Sequence, residues 1–435
     1  MGTTALIPKR GSQGSIASYQ TDSSGNVTGL LAPSGTNAPL SRQSSIASLK
    51  LLPSPGSQAL AGDITSGKVI NSQLPAFAPF FGVKLIYQNY DTANTMDIDG
   101  VKVAPSVATA GAGSSANNSA LTFSGFVTFA GSQSVSIPVA VTGVGGQVIP
   151  TEIVSDFIQI TSLARTDTVG APPLLRVATH FAPSANQTVH PSYNGTNYTN
   201  LNTLAANPKF NHGNNSFTGT LAALITSAQP TYDIYGGVQN PIGAIFYYSS
   251  GVQEIAAFGD SLIQGVGSST SYAGWPEYLT WGSYSNSLNF VCANYGTSAQ
   301  KTVDTLAVAK AVLSKYSPKY AVMKAWSPND GNTQAIFDAS WGYTLEFINY
   351  CLNLDIIPIV LTSGPATGYS WTLTKAQNVR VMALPASVIK VDVAAIINNS
   401  ASDGTILPAY DSDGTHYNDA GYAAIADEVK TSIAY

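Results

Sequence analysis

Charged side chains are scarce in this sequence: Asp, Glu, Lys and Arg make up 10% of its 435 residues, and the formal net charge is −5. No Lys/Arg cluster stands out, so the electrostatic footprint of a nucleic-acid-binding protein is missing. Cysteine is nearly absent, with only Cys292 and Cys351 present. Two thiols exclude a disulfide framework; both sit in apolar contexts and read as buried thiols, with a single bridge between them left open. Histidine occurs four times. His180, His190 and His212 lack metal-ligand spacing and read as surface or locally satisfied side chains. No apolar run reaches the ~18 residues of a membrane span. Met1 to Arg10 has no apolar h-region, so no secretory signal peptide is expected. These absences predict no membrane association and no metal. They leave a protein of the cytosol, one exported without a signal, or one assembled into a particle.

What is abundant is apolar, hydroxyl and amide side chain. Hydrophobic residues reach 44%, enough for a sizeable core. With Gly, Ser, Thr and Asn plentiful, the surface reads as mostly β and extracellular or virion-like. The length allows two or three domains, and the pattern divides into three stretches.

Residues 1–66 are rich in Ser, Gly, Pro and Gln, with a short echo of Ser15-Ile16-Ala17-Ser18 at Ser45-Ile46-Ala47-Ser48. Residues 18–31 predict a β-hairpin turning at Ser24-Gly25-Asn26. This stretch reads as an attachment or oligomerisation segment with a linker, too small for a good core alone. Residues 67–250 predict short strands at 81–87, 120–129, 134–141, 157–160, 174–181 and 244–248, with hardly any helical periodicity. That is a β-sandwich, jelly-roll-like accessory domain. Its amide- and aromatic-rich loops at 190–202 and 207–217 read as solvated loops that could touch glycans.

From residue 251 to 435 the period becomes α/β. Strands are predicted at 255–258, 288–292, 320–325, 355–361 and 387–391, and helices at 275–280, 302–316, 334–352, 375–383 and 419–433. Such alternation implies a parallel sheet with helices on both faces, whose reactive groups gather beyond the strands' carboxyl ends.

Chemistry concentrates at those ends. Ile255 to Phe258 runs into Gly259-Asp260-Ser261-Leu262, a strand end followed at once by a helix-start signal. Asp and Ser are ordinary caps. A serine there also suits a nucleophile, because a developing oxyanion would meet free backbone donors and the positive helix end. Near the C-terminus stands Asp413-Gly414-Thr415-His416, and His416 is the last imidazole of the chain. Three-residue spacing in a turn lets the Asp413 carboxylate reach Nδ1 while Nε2 faces outward. A calcium loop from Asp403, Asp411, Asp413 and Asp419 is the weaker reading, since the glycine falls too early for an EF-hand. Neither cysteine has an activating neighbour that would make it the nucleophile.

These residues resemble the SGNH (GDSL) hydrolase family across about 251–435. Gly259 to Leu262 matches the first block, Gly296 the second-block glycine, Asn329 the third-block asparagine, and Asp413 to His416 the last block. Ser327 departs from the pattern, standing where the third block usually begins with glycine. The resemblance implies Ser261 as nucleophile, His416 as base and Asp413 as its orienter. It also implies an oxyanion hole of the Ser261 and Gly296 backbones and the Asn329 amide. Trp275, Trp326, Tyr343, Trp371 and Tyr417 fall near the expected rim; Trp275, Trp326 and Tyr417 are the candidate substrate-binding residues.

A β-sandwich ahead of such a domain resembles phage tail-spike esterases and related carbohydrate esterases, and Ser24 to Leu30 resembles phage tail-protein segments. That likeness implies cofactor-free removal of O-acetyl groups from a bacterial surface polysaccharide by a virion-tail or extracellular protein. It implies a homo-oligomer, a trimer if the protein is a tail spike. Two rivals are a broad-range SGNH carboxylesterase, secreted or cytosolic, and a non-catalytic glycan-binding tail protein. The intact Ser, Asp and His speak against the second.

Overall fold

The computed structural model describes residues 80–89, 91–106, 125–142, 151–160, 174–182, 243–248, 252–269, 274–285, 290–316 and 318–434. It adds strand backbone at 17–21, 27–32, 44–47, 58–59, 68–75, 148–149, 188–189 and 215–218. Apolar segments with strand and helix periods alternate from residue 253 onward and build one five-stranded sheet. Its strands are β1 (Gln253–Gly259), β2 (Phe290–Gly296), β3 (Tyr320–Lys324), β4 (Ile357–Leu361) and β5 (Ile389–Val391). Their spatial order is β2-β1-β3-β4-β5, and every pair is parallel. The chain reverses its direction of winding between β1 and β3, which is where open α/β sheets place their ligands.

Among the described residues the α-helices of this half are α1 (Ser261–Gln264), α2 (Trp275–Ser285), α3 (Thr302–Leu313), α4 (Gln334–Asn353), α5 (Trp371–Met382), α6 (Val393–Ile397) and α7 (Asp419–Ala434). Strand alternation divides the core in two. Ala256, Phe258, Ala321 and Met323 pack with Leu306 of α3, Phe347 of α4 and Val381 of α5. Ile255, Ala257, Tyr320 and Val322 pack with Leu279 of α2, Ile397 of α6 and Ile425 of α7. Cys292 and Cys351 belong to opposite faces, and both are free. Burial raises both thiols, Cys351 to about 12, so neither is poised as a thiolate.

Strand and helix ends differ from the sequence expectation by a few residues. Of the two short helices, α1 begins at the expected Asp260-Ser261 signal, while α6 was not expected. Both are single turns set by an aspartate cap, Asp260 and Asp392, and carry too few residues for a periodic stripe.

Upstream, Phe80–Asn89 pairs with Thr151–Val154, Ile158–Gln159 and Gly243–Tyr248, and Gly243–Tyr248 pairs with Ser44–Ala47. A second antiparallel sheet runs 215–218, Lys68–Pro75, Leu174–Phe181, Met96–Ser106, Val135–Ile137. Both sheets feed one cluster that includes Val83, Leu85, Phe246, Val103 and Val177. The opposite face of the first sheet supplies Ile86 and Ile245 to the cluster around Phe258, Tyr295 and Leu313. Glu152 accepts hydrogen bonds there from the Tyr316 hydroxyl at 2.7 Å and Lys315 Nζ at 3.2 Å.

Ser44–Ala47, within the stretch read as an attachment segment and linker, joins this first sheet. Ala17–Thr21 and Val27–Ala32 pair antiparallel on either side of the expected turn. Residues 125–129 form no ladder, and Val127 donates its N–H to the Val101 carbonyl instead. The expected 134–141 strand breaks after Ile137 at Pro138, which has no N–H to give. His180 is buried and paired through Nδ1 with Asp99. His190, His212 and the loop at 190–202 lie outside the described residues, as does most of 207–217.

Candidate active site

Ser261 sits where β1 ends and α1 begins. Asp260 takes an extended conformation as the cap and accepts the Leu262 N–H at 3.0 Å. Gly265 closes α1 at φ +92°, a region that favours glycine. Ser261 is 9% exposed. Its Oγ lies 2.9 Å from His416 Nε2, and His416 Nδ1 lies 2.8 Å from Asp413 Oδ2. The other Asp413 oxygen accepts the His416 and Thr415 backbone N–H groups at 2.8 and 3.0 Å. Burial alone would raise the Asp413 carboxyl, but those donors outweigh it and hold it below the usual carboxylate range. The carboxylate is thus charged wherever an imidazole would need orienting.

The turn carrying Asp413 and His416 is held from two sides. Thr367 donates both its N–H (2.8 Å) and its hydroxyl (2.9 Å) to the Gly414 carbonyl. Gly414 has φ +83°, and a Cβ on it would come within 2.4 Å of Thr367 Oγ1. On the far side Gly267, at φ +93°, packs so closely that a Cβ would sit 2.8 Å from His416 Cβ and from the Tyr417 carbonyl. Neither Thr367 nor Gly267 was singled out from the sequence. Glycine two residues beyond a helix-closing glycine was the available signal.

Gly296 calls for a correction. It ends β2 opposite Gly259, and its N–H is donated to Asn294 Oδ1 at 2.8 Å, so it is not a free oxyanion donor. Its glycine character answers another need: a Cβ would lie 2.3 Å from the Gln264 N, where α1 rests on it. Asn294 also donates from Nδ2 to the Ile263 carbonyl (2.9 Å) and to Glu277 (3.0 Å). The loop then reaches Ala299, an exposed non-glycine residue at φ +64°. Such strain gathers at functional loops. Among the described residues the Ser261 and Ala299 N–H groups have no acceptor.

Asn329 stands in a short 3₁₀ turn, Pro328–Asp330, capped by Ser327. Its Nδ2 reaches the Gln300 carbonyl at 3.2 Å and Ser327 Oγ at 3.1 Å, so donating to a substrate would require releasing one of them. The loop is pinned by Asp330, which accepts from Thr302 N–H, Thr302 Oγ1, Ser327 N–H and Ser340 Oγ. Ser327, the departure from the family pattern, donates to Asp260 Oδ2 at 2.6 Å. Lys324 Nζ lies 2.7 Å from the same oxygen, with the two side chains 6% and 0% exposed.

Trp275, Trp326 and Tyr417 also need correction, because all three are buried, at 1%, 1% and 3% exposure. Trp275 and Tyr417 belong to the core cluster of α2 and α7, and Trp326 stacks on Phe337 at 4.7 Å. Aromatic type and loop position could not separate a rim from a core wall. Tyr343 packs half-buried on the core cluster of α4. The four aspartates weighed as a calcium loop are dispersed. Asp403 meets Trp371 and Lys375, Asp411 accepts the Gly414 N–H, and Asp419 accepts the Ser269 N–H.

No family model and no curated protein matches the chain. Solved structures similar to it include a GDSL-like lipase from Bacteroides thetaiotaomicron, 16% identical over 42% of this chain and 88% of its own, with a TM-score of 0.34. A psychrotrophic esterase from Pseudoalteromonas sp., inhibited by monoethylphosphonate, is 16% identical over 41% and 96%, with a TM-score of 0.32. A protein of the G-D-S-L family from Desulfitobacterium hafniense is 17% identical over 41% and 99%, with a TM-score of 0.36. The likeness to SGNH/GDSL hydrolases read from the four sequence blocks is met again in these neighbours.

Proposed function

We propose that the chain is an SGNH-type serine ester hydrolase that removes O-acetyl groups from a polysaccharide. The carrying observation is the continuous chain from Ser261 Oγ through His416 to Asp413. In this reading Ser261 attacks the ester carbonyl while His416 Nε2 takes its proton and Asp413 stabilises the imidazolium. The oxyanion is received by the Ser261 N–H at the start of α1, joined by the Asn329 amide once that amide releases the Gln300 carbonyl or Ser327 Oγ. His416 then protonates the departing alcohol, and water releases acetate by the reverse path.

Support for a short acyl group on a hydroxyl-rich alcohol comes from the surrounding surface. Its exposed residues include Ser298, Ala299, Asn332, Thr367 and Ser412. Among the described residues, Val303 is the one exposed large hydrophobic in a segment opening at this edge. A lipid substrate would call for a broader apolar surface. We assign 251–435 as the catalytic domain, 67–250 as a jelly-roll-like accessory domain, and 1–66 as an attachment segment that lends it strand 44–47. Composition and the tail-protein likeness of Ser24 to Leu30 favour a virion-tail or extracellular oligomer.

The test is acetate release from a panel of native bacterial surface polysaccharides, with the same polymers deacetylated by mild alkali as controls. Release confined to native polymers supports the reading. Hydrolysis of simple esters with no acetate from any polymer would leave the broad-range carboxylesterase. A second expectation concerns Gly267→Ala: displacing His416 should lower kcat on 4-nitrophenyl acetate on the order of 10²-fold, since small misplacements are costly. A loss below threefold in a folded variant would show that the imidazole is not held from this side.

A further inference from the structure

Of the aromatics expected at the rim, Trp371 remains half-buried on a helix that opens at the sheet's active edge. The segment leading to it is tied to both flanks of the Ser261 centre. Thr367 holds Gly414 between Asp413 and His416. Ser370 donates its N–H to Asn332 Oδ1 at 2.7 Å, and Asn332 Nδ2 reaches the Gly368 carbonyl at 3.3 Å, just past Asn329. Trp371 lies four positions beyond Thr367, so their Cα atoms are at most ~14 Å apart.

The indole is fixed in place. Its Nε1 donates to Asp403 Oδ1 at 2.5 Å. Asp403 is held in turn by Asn398 Nδ2 at 3.1 Å and Lys375 Nζ at 2.8 Å. Gly404, at φ +88°, lies against the ring, where a Cβ would come within 3.0 Å of Cδ1. Lys375 Nζ is 5.9 Å from the ring centroid and gives one of its three hydrogens to Asp403, leaving two for a ligand. A partly open indole with a carboxylate at its Nε1 edge and an ammonium above the ring combines apolar area with hydroxyl-pairing groups.

We propose that Trp371, with Lys375 and Asp403, forms a sugar-binding subsite that takes a neighbouring residue of the O-acetylated saccharide whose ester is cut at Ser261. This rests on the esterase reading of that centre. A small ester would not reach the subsite, whereas an oligosaccharide would.

The experiment compares 4-nitrophenyl acetate with O-acetylated cello-oligosaccharides of one and three residues. In the unsubstituted protein kcat/KM should rise with saccharide length through a lower KM. Trp371→Ala should keep 4-nitrophenyl acetate hydrolysis within twofold and lose the length-dependent gain, about tenfold for stacking of ~1.4 kcal/mol. Trp371→Phe, which preserves packing on Gly404, should retain part of the gain. Equal losses on both substrates would make the ring a structural wedge. No gain with length, or a gain surviving in Trp371→Ala, would also overturn the proposal. If the protein hydrolysed neither ester, the Ser261 reading would fall by itself. The subsite would then be judged by cellotriose binding to the full chain, present in the unsubstituted protein and lost in Trp371→Ala.

Discussion

Ser261→Ala is expected to lower ester hydrolysis by roughly 10⁴-fold or more while leaving thermal unfolding nearly unchanged. The two halves of that expectation have separate causes. Cleavage loses the one hydroxyl that, among the described residues, is bonded to His416 Nε2, and burial raises both thiols. Stability is spared because Asp260, not Ser261, caps α1, and among the described residues the serine hydroxyl bonds to His416 alone. Asp413→Asn should be milder than His416→Ala, because it disturbs the orientation of the base without deleting it. A serine-directed organophosphate should add once per chain, at Ser261, and fail to label His416→Ala at comparable exposure. More than a few per cent of activity left in Ser261→Ala would remove the triad reading. A milder His416→Ala than Asp413→Asn would require another base.

The parallel sheet was legible because strands buried on both faces read as continuous apolar runs between helical stripes. Ile255 to Phe258 and Ile356 to Leu361 are such runs. The upstream sheets were harder. Met96–Ser106 alternates Met96, Ile98, then Val101, Val103, slipping by one residue at Asp99-Gly100. The pairing register shifts at the same place, with Gly100 opposite His180 but Ile98 opposite Phe181. A period-2 scan loses such a strand at its bulge.

In the site, side chains whose chemistry names them were legible: Ser261, Asp413 and His416. What sequence could not supply was direction. Gly296 was taken for a donor when its N–H is spent on Asn294, and three rim aromatics turned inward. Residues whose role is to be small or to hold a backbone, Gly267 and Thr367, carry no chemical signature at all. Ser327 departs from the glycine that usually begins the third block; in the fold its hydroxyl is one of three donors on Asp260.

The buried pair beneath Ser261 should give the second large effect. Lys324 ends β3 and places Nζ on Asp260 Oδ2, which also accepts from Ser327, while Oδ1 caps the Leu262 N–H. Lys324→Met would leave that carboxylate buried without its cation. Such uncompensated charges cost about 3–5 kcal/mol, and the effect should appear as a lower urea midpoint in tryptophan emission. Turnover should fall with it, because Asp260 fixes the first turn of α1 and thereby the Ser261 hydroxyl. The double variant Asp260→Asn/Lys324→Met tests the cause. Asparagine still accepts at the cap, and the charge that needed compensation is gone, so most of the lost stability should return. If turnover returns as well, Lys324 acts by neutralising Asp260. If stability returns and turnover does not, the ammonium itself contributes to the field at the reacting carbonyl. A Lys324→Met midpoint close to that of the unsubstituted protein would show that Ser327 and the α1 N–H groups suffice to hold Asp260, and the pair would drop out of the account.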